Sequence, residues 1–581
     1  MHSVNEEFSF KNLFFPLTSL KAVHYIILIG IIVLFFGIFN GFVGDDQIQI
    51  VKNPAVSSLS NWPYLLTGGT FFSQQSKLGG FSYKPFLNLS YALSYFVGSG
   101  SPFSFHLIQI IVFIINSIFV FFIFRRFFGI YLSIFLSLIF LTHPINSESA
   151  FYIADMQEVL FFFFGSLAFL ILLKYKSIKA LVFISLLLLF SLLSKESGVL
   201  FVFISLFYIF LFERRIFLKF LGFILIISGL YLALRIYSIG LFNNNILTSS
   251  ISSLNIWGRL INIPSIVFFY LKTFFYPINL AMSYQWVIRS ITFYSFFLPL
   301  VIDLIFLSSV LFLGIYLKKI KSKVFKEYLF FAFWFGVGIS LHLQLIPLDQ
   351  TVSDRWFYFP IVGLLGMIGI LVSAVKFKNN HILIFLLAMS LIISLSFRTF
   401  IRSFDWKDSL SIASSDIKVS KEAFGIENEL SSAYIQLKDF KEAKLHAQKS
   451  IDIRPTQTSY IDLGVADTFL GEYDSAYKAY KNSLKFGDYY VAYENLAALS
   501  IVYGNPAENI SYIKNISLKK FPNDAKLWLY LAILEYRNNL VKDAKYDIKK
   551  AYLISGSSSI IPVYNAITNG EKVNTFFNVS K

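Results

Sequence analysis

The chain has 581 residues, 56% of them hydrophobic, 19% aromatic and only 14% charged, with a mean hydropathy of +0.64. No soluble globular protein of ordinary composition has this balance, so the sequence reads as a polytopic membrane protein with a second, polar region attached. The net charge of +16 falls mostly in short loops between apolar runs, which speaks for membrane topology and against nucleic-acid binding, and the lack of any cysteine excludes disulfides, thiolate metal sites and cysteine nucleophiles.

Residues 1–21 carry acids as well as Lys11 and Lys21, and the apolar run after them is longer than a signal-peptide core and has no small-residue cleavage pattern. They are therefore predicted to be a cytoplasmic N-terminal segment before an uncleaved first span. About eleven runs suited to crossing roughly 30 Å of hydrocarbon follow, at 22–43, 104–124, 128–142, 157–173, 178–194, 197–212, 216–237, 293–317, 327–347, 356–375 and 381–400. The stretch from Ala180 to Phe212 is broken only by Lys195-Glu196-Ser197; as one helix, at about 1.5 Å per residue, it would overshoot the bilayer. It is predicted to be a hairpin.

With the N-terminus inside, the connections at Arg125-Arg126, Lys174–Lys179, Glu213–Lys219, Lys318–Lys326 and Lys376–Lys378 are all inside and all basic. The acidic or mixed connections lie outside: Asp45-Asp46, HPINSE (His143–Glu148), KES at Lys195, the long segment 238–292, and LDQTVSDR (Leu348–Arg355). An odd number of spans then leaves the C-terminal region outside as well.

The first outer loop, 44–103, ends a membrane-length run with two adjacent carboxylates. Burying a carboxylate mid-bilayer costs roughly 2.5 kcal/mol or more, so the pair should sit at the interface. A plain polar stop would account for an isolated pair, but this loop also holds amphipathic pieces, NWPYLLTGGTFF and YKPFLNLSYALSYFVG, suited to lying along the membrane surface. Beyond a linker at 404–428 the chain turns polar and repetitive. AYIQLKDFKEA (Ala433–Ala443) recurs as ADTFLGEYDSA (Ala466–Ala476), again near Leu499–Asn509, and as AILEYRNNLVKDA (Ala532–Ala544). This period of 33 to 34 residues is that of tetratricopeptide repeats, predicted over 429–555. The Ser- and Asn-rich tail 556–581 is expected to be loosely ordered.

Taken in order, DDQIQIVKNP, YKPFLNLSY, GSPFSFHLIQ, HPINSE with Glu158 ten residues on, LLSKES, SDRWFYFP and the C-terminal repeats resemble glycosyltransferases of the GT-C fold class. More specifically, the chain resembles the multispanning proteins with tetratricopeptide repeats that are related to protein O-mannosyltransferases. It departs from their usual pattern at Lys84, where an Arg is usual, at Asn146, where a second His is usual, and at Asp155-Met156, where Gly-Arg is usual. The resemblance implies an all-α, GT-C-like transmembrane domain over 22–403. It also implies transfer of a sugar from a polyprenyl-phosphate donor to an extracytoplasmic acceptor, with a first-loop acid, Asp45 or Asp46, as base and inversion at the anomeric carbon. No nucleotide-binding fingerprint is present.

Such a transfer needs cations for the departing phosphate. Arg355, Lys195 and Arg235 are the candidates, since guanidinium and ammonium groups match phosphate oxygens. Each has a plainer alternative: Arg355 as a snorkelling arginine at a helix start, Lys195 self-paired with Glu196, and Arg235 as an interfacial anchor. The aromatic residues of SDRWFYFP could cover a prenyl chain. His143, Glu148, Glu158, Lys84, Asp354 and Tyr358 are candidate supporting residues. His143 and Glu148 could also join the aspartates around a divalent metal, or form a hydrogen-bonded pair orienting the loop. Glu158 is an acid in an apolar run, and so either functional or a helix-end charge; His106 is expected to be a satisfied interfacial histidine.

Stacked repeats make a groove suited to an extended peptide, which favours protein Ser/Thr hydroxyls as acceptors, although recruitment of a partner would use the same surface. The competing readings are a glycan polymerase or ligase, and a non-catalytic scaffold whose repeats organise an envelope complex. The expected location is a bacterial inner membrane, with the repeats periplasmic.

Overall fold

The computed structural model describes residues 16–73, 77–79, 82–240, 249–320, 322–374, 381–556 and 558–573. Residues 1–15, the connection Lys376–Lys378 and the last eight residues of the tail lie outside them. The described chain is helical apart from one pair of three-residue strands, Phe71–Ser73 and Lys77–Gly79. It divides into two compact units, one of residues 1–71 and 79–419, the other of 72–78 and 420–581.

In the larger unit each of the eleven expected apolar runs falls on a helix. Among the described residues six helical segments are long and apolar enough to cross a membrane: Ser19–Phe39, Pro102–Arg125, Ile153–Lys174, Arg214–Ile239, Phe293–Ile320 and Ile382–Asp405. A seventh arises if Ile130–Thr142 and Pro144–Phe151, bent by 51°, count as one. This is the make-up of an integral membrane protein. Ile178–Ser194 and Val199–Phe212 form the expected pair around the break at Lys195, but with 17 and 14 residues they are short for a 30 Å core. The long helix Ile256–Phe275, inside the segment 238–292, was not anticipated; Asn255 accepts from the Gly258 N–H at its start. Its internal Pro264, with Arg259 and Asn262, kept it from reading as an apolar run.

Capping starts several of the helices. Thr18 accepts from the Lys21 N–H and Ser177 from the Ala180 N–H, while Pro85 and Pro102 occupy first-turn positions where a missing N–H costs nothing. Helices meet closely where glycine removes the side chain. A Cβ at Gly363 would lie 2.3 Å from the Phe335 amide nitrogen, so the Ser322–Ser340 and Pro360–Ala374 helices touch backbone to backbone.

The segment 404–428, expected to be a linker, is ordered: it continues the His381–Asp405 helix and adds a helix at Ser409–Asp416. Asp416 is fully buried and bonds Arg402 at 2.7 Å and the Met282 N–H at 2.7 Å, which ties residues up to 419 into the larger unit; the division between the units falls within the expected linker, at 419–420.

The smaller unit is a row of helical hairpins whose first helices begin at 424, 457, 490 and 525, so 33, 33 and 35 residues apart. Each hairpin turn has a residue with left-handed backbone at its equivalent place, Lys438, Gly471, Gly504 and Asn539, the geometry that ends a helix and reverses the chain. Buried alanines, among them Ala433, Ala443, Ala466, Ala476, Ala532 and Ala544, let the paired helices approach. The row starts five residues before the expected boundary. The tail is not all loose, for Ile561–Asn569 is a helix closed by Gly570, with Ile567 fully buried.

Candidate functional site

The loop after the first helix is fixed along its backbone. The Asn40 side-chain amide donates to the Ser403 carbonyl at 3.1 Å, the Gly41 N–H donates to the Lys407 carbonyl at 2.8 Å, and the Gly41 carbonyl meets His106 Nε2 at 3.3 Å. Gly44 takes a left-handed conformation, φ +52°, where a Cβ would lie 2.9 Å from the Tyr152 hydroxyl; only glycine passes there.

The two aspartates that follow have different fates. Asp46 is fully buried, and its two carboxylate oxygens accept from the Val43 N–H at 3.0 Å and the Ala154 N–H at 2.7 Å. It fastens the loop to the 153–155 turn. Asp45 is exposed, and its own N–H donates to the Tyr152 hydroxyl at 2.9 Å. Tyr152 in turn stacks on Trp406, ring centroids 5.5 Å apart, and its carbonyl accepts from Gln109 at 2.7 Å. Tyr91 supports the loop from below by donating to Gln49 Oε1 at 3.1 Å.

Tyr152 lies within electrostatic reach of Asp45, Asp46 and Arg355 alike, so it joins the aspartate loop to a bank of charge. Arg355 is enclosed by acids: Nη1 bonds Glu148 at 2.6 Å, Nε faces Asp155 at 3.4 Å, and Nη2 is 3.8 Å from Asp349. Glu148 also accepts the Arg355 N–H at 3.0 Å and the Ser353 hydroxyl at 3.2 Å. Burial works against the Arg355 charge, but Asp155, Glu148 and Asp349 outweigh it and hold its pKa well above the ordinary arginine range. Arg355 is therefore not a snorkelling residue.

Lys195 is ion-paired with Glu158, not with its neighbour Glu196, because the break between the two short helices turns its ammonium inward. That contact also gives Glu158 its partner. Lys84, just before the Pro85–Gly98 helix, lies within reach of Glu196, Lys195, Asp349 and Glu158 but makes no salt bridge among the described residues. Burial lowers its pKa, and Glu196 opposes that shift. Arg235 lies beside Tyr231, on which Glu196 also acts and whose ring is 6.5 Å from that of Tyr83, the residue before Lys84.

Three supporting residues serve other ends. His143 accepts the Ile145 N–H at Nδ1 (3.2 Å) and meets the Phe274 carbonyl at Nε2 (2.9 Å), so it is a neutral imidazole with both nitrogens engaged. It does not pair with Glu148. Among the described residues no group of three or more His, Asp or Glu side chains is arranged to hold a metal ion. Asp354 is buried next to Tyr284, 3.4 Å from its hydroxyl, and burial pushes its carboxyl well above the usual range.

Tyr358 is in the core: its hydroxyl accepts from Asn116 at 3.1 Å and its ring packs among Phe113, Phe140 and Phe162. Trp356, Phe357 and Phe359 are buried as well, so SDRWFYFP offers no aromatic cover for a prenyl chain. Five consecutive residues at a helix start point in all directions, and here protein surrounds every one.

Sequence reasoning gave no role to Tyr152, Asp155 or Asp349. The signal for Asp155 was present, a second acid three residues before Glu158 in an otherwise apolar stretch. No known protein family matches the chain, and no curated protein does.

Proposed function

We propose that the chain is an integral-membrane glycosyltransferase that moves one sugar from a polyprenyl-phosphate carrier to an acceptor hydroxyl on the outer face, with Asp45 as the base. The observation that carries this reading is the unequal environment of the two aspartates: Asp46 is buried under two amides, while Asp45 faces solvent on a backbone fixed on both sides. A base must be held still and yet be reachable.

In the reaction the acceptor oxygen bonds to the anomeric carbon as the bond from that carbon to the phosphate oxygen breaks. The hydroxyl proton passes to the Asp45 carboxylate, polyprenyl phosphate leaves, and the anomeric centre inverts. Lys84 is the first choice for the leaving phosphate, because the charges of Arg355 and Lys195 already have carboxylate partners. On this reading the eleven apolar runs are the spans, the N-terminus is cytoplasmic, and the hairpins are tetratricopeptide repeats presenting protein Ser/Thr acceptors.

One observation favours a second reading, a membrane scaffold with a silent core: the acids around Arg355 leave it little charge to offer a phosphate. Transfer from labelled polyprenyl-phosphate sugars to endogenous protein in isolated membranes separates the two. Loss of label with Asp45→Asn at matched expression supports the enzyme; equal labelling with and without Asp45 refutes Asp45 as base. No labelling from any donor favours the scaffold.

A further inference from the structure

The Pro102–Arg125 helix begins beside the aspartate loop and ends, about 35 Å away at 1.5 Å per residue, at a second polar feature that the proposed reaction does not use. There a cleft of about 270 Å³ is lined by Arg126, Phe127, Tyr208, Phe212, Lys326 and Glu327. The Arg126 and Lys326 side chains are exposed. Lys176 reaches the same place, its ammonium 5.3 Å from the centre of the Tyr208 ring, and Arg126 lies within electrostatic reach of the Tyr208 hydroxyl. Arg126 and Lys176 thus flank one phenol and Lys326 lines the same cleft, with Glu327 and Glu213 as the nearby acids.

The setting is that of a membrane interface. Lys174 lies over the Tyr175 ring at 5.1 Å and Arg214 over the Phe210 ring at 4.7 Å, and the helices on either side expose apolar residues such as Phe122, Phe203 and Phe210. Burial lowers the pKa of Lys176, Glu213 opposes that shift and the Arg126 charge adds to it, so an anion in the cleft would act together with Glu213. The floor is aromatic, so a headgroup phosphate on the cations would place the first methylenes of its lipid against Phe127 and Phe212.

We propose that this cleft binds the phosphate of an anionic phospholipid headgroup, with Arg126 and Lys326 on the phosphate oxygens and the aromatic residues below the acyl chains. The test uses full-length protein in nanodiscs of phosphatidylcholine with or without phosphatidylglycerol, counting retained phosphatidylglycerol by native mass spectrometry. Wild type should retain it, and Arg126→Ala and Lys326→Ala should each weaken retention about fivefold. Lys318→Ala, a cation at the same end but outside the cleft, should not change it. Lys326 is exposed, so its variant reports on the site even where loss of Arg126 disturbs folding. Equal retention by wild type and Lys326→Ala, or an equal loss with Lys318→Ala, would overturn the proposal. Full displacement of the lipid by inorganic phosphate would overturn the lipid as occupant in favour of free phosphate.

Discussion

Exchanging the two aspartates one at a time should break two different properties. Asp46→Ala removes both acceptors from the Val43 and Ala154 amides, at 3.0 and 2.7 Å, inside a fully buried site. A hydrogen bond to a charged group contributes about 1.5–3 kcal/mol, so losing two should cost roughly 3–6 kcal/mol, and Asp46→Asn, which keeps one acceptor oxygen, about half of that. Asp45→Asn keeps the shape of an exposed side chain and the backbone bond to Tyr152, so it should cost less stability than Asp46→Asn. Transfer should nevertheless fall about 10²- to 10⁴-fold, the usual contribution of a positioned base. The assay pairs thermal unfolding of detergent-purified protein, at one scan rate, with labelled-sugar transfer in membranes at matched expression. If Asp46→Ala unfolds like wild type, or Asp45→Asn melts early while Asp46→Asn keeps its melting temperature, the assignment of one structural and one chemical aspartate is wrong.

The ion pairs lead to further expectations. Glu148→Gln strips the buried Arg355 of its shortest partner and should destabilise by about 3–5 kcal/mol, while Glu148→Gln combined with Arg355→Met should recover much of the loss in a double-mutant cycle of unfolding. Lys84→Met should weaken donor use in a titration of transfer against donor concentration; Lys84→Arg should retain it and extend activity to higher pH, because burial makes the lysine give up its proton early. In the repeats, burial and the neighbouring Glu494 raise Asp524 to about 8, and burial raises Glu535 to about 7. A carboxyl whose folded pKa is raised keeps its proton where the unfolded chain has released it, so stability falls as pH rises from about 4 to 8. Hydrogen exchange, corrected for its intrinsic pH dependence, should show weaker protection of residues 490–537 at pH 8 than at pH 6, with a flatter profile in Asp524→Asn. Gly363→Ala should cost about 1–3 kcal/mol by forcing apart two helices in backbone contact, measured as an earlier unfolding transition.

What the sequence made legible was whatever depends on pattern along the chain. Apolar runs became helices because nothing but length and hydropathy decides them, and the hairpin period survived because each repeat needs the same small residues and the same left-handed turn. The break at Lys195 was readable because the 33 residues from Ala180 to Phe212, interrupted only by Lys195-Glu196-Ser197, exceed a bilayer as one helix. Partner choice was not readable, because it depends on contacts between residues far apart in the chain. Asp45 and Asp46 are chemically identical neighbours, and only the 153–155 turn, 108 residues on, determines which of them is buried. Lys195 prefers Glu158 over adjacent Glu196 because residues one apart on a tight turn do not face each other, whereas the Met156–Lys174 helix packs directly against Ile178–Ser194. The aromatic residues of SDRWFYFP could not be assigned to lipid or to core from the sequence, since both environments are apolar.

The same partner choices bear on what the site can bind. Glu148, Asp155, Glu158, Glu196 and Asp349 stand against Arg355, Lys195 and Lys84, so the bank holds more acids than bases before Asp45 is added. An anionic donor brought to such a bank must find a cation that its neighbours have not already neutralised, or it will be repelled. Arg355 meets three carboxylates and Lys195 one, and moving either toward a phosphate would strand a buried acid at a cost comparable to the gain. Lys84 has no such tie among the described residues and sits at the start of the Pro85–Gly98 helix, where its side chain can turn without breaking a salt bridge. A phosphate there would also restore the charge that burial makes costly. The choice between enzyme and scaffold therefore rests on Lys84, which makes no salt bridge among the described residues, and on the exposed Asp45, more than on the prominent arginine.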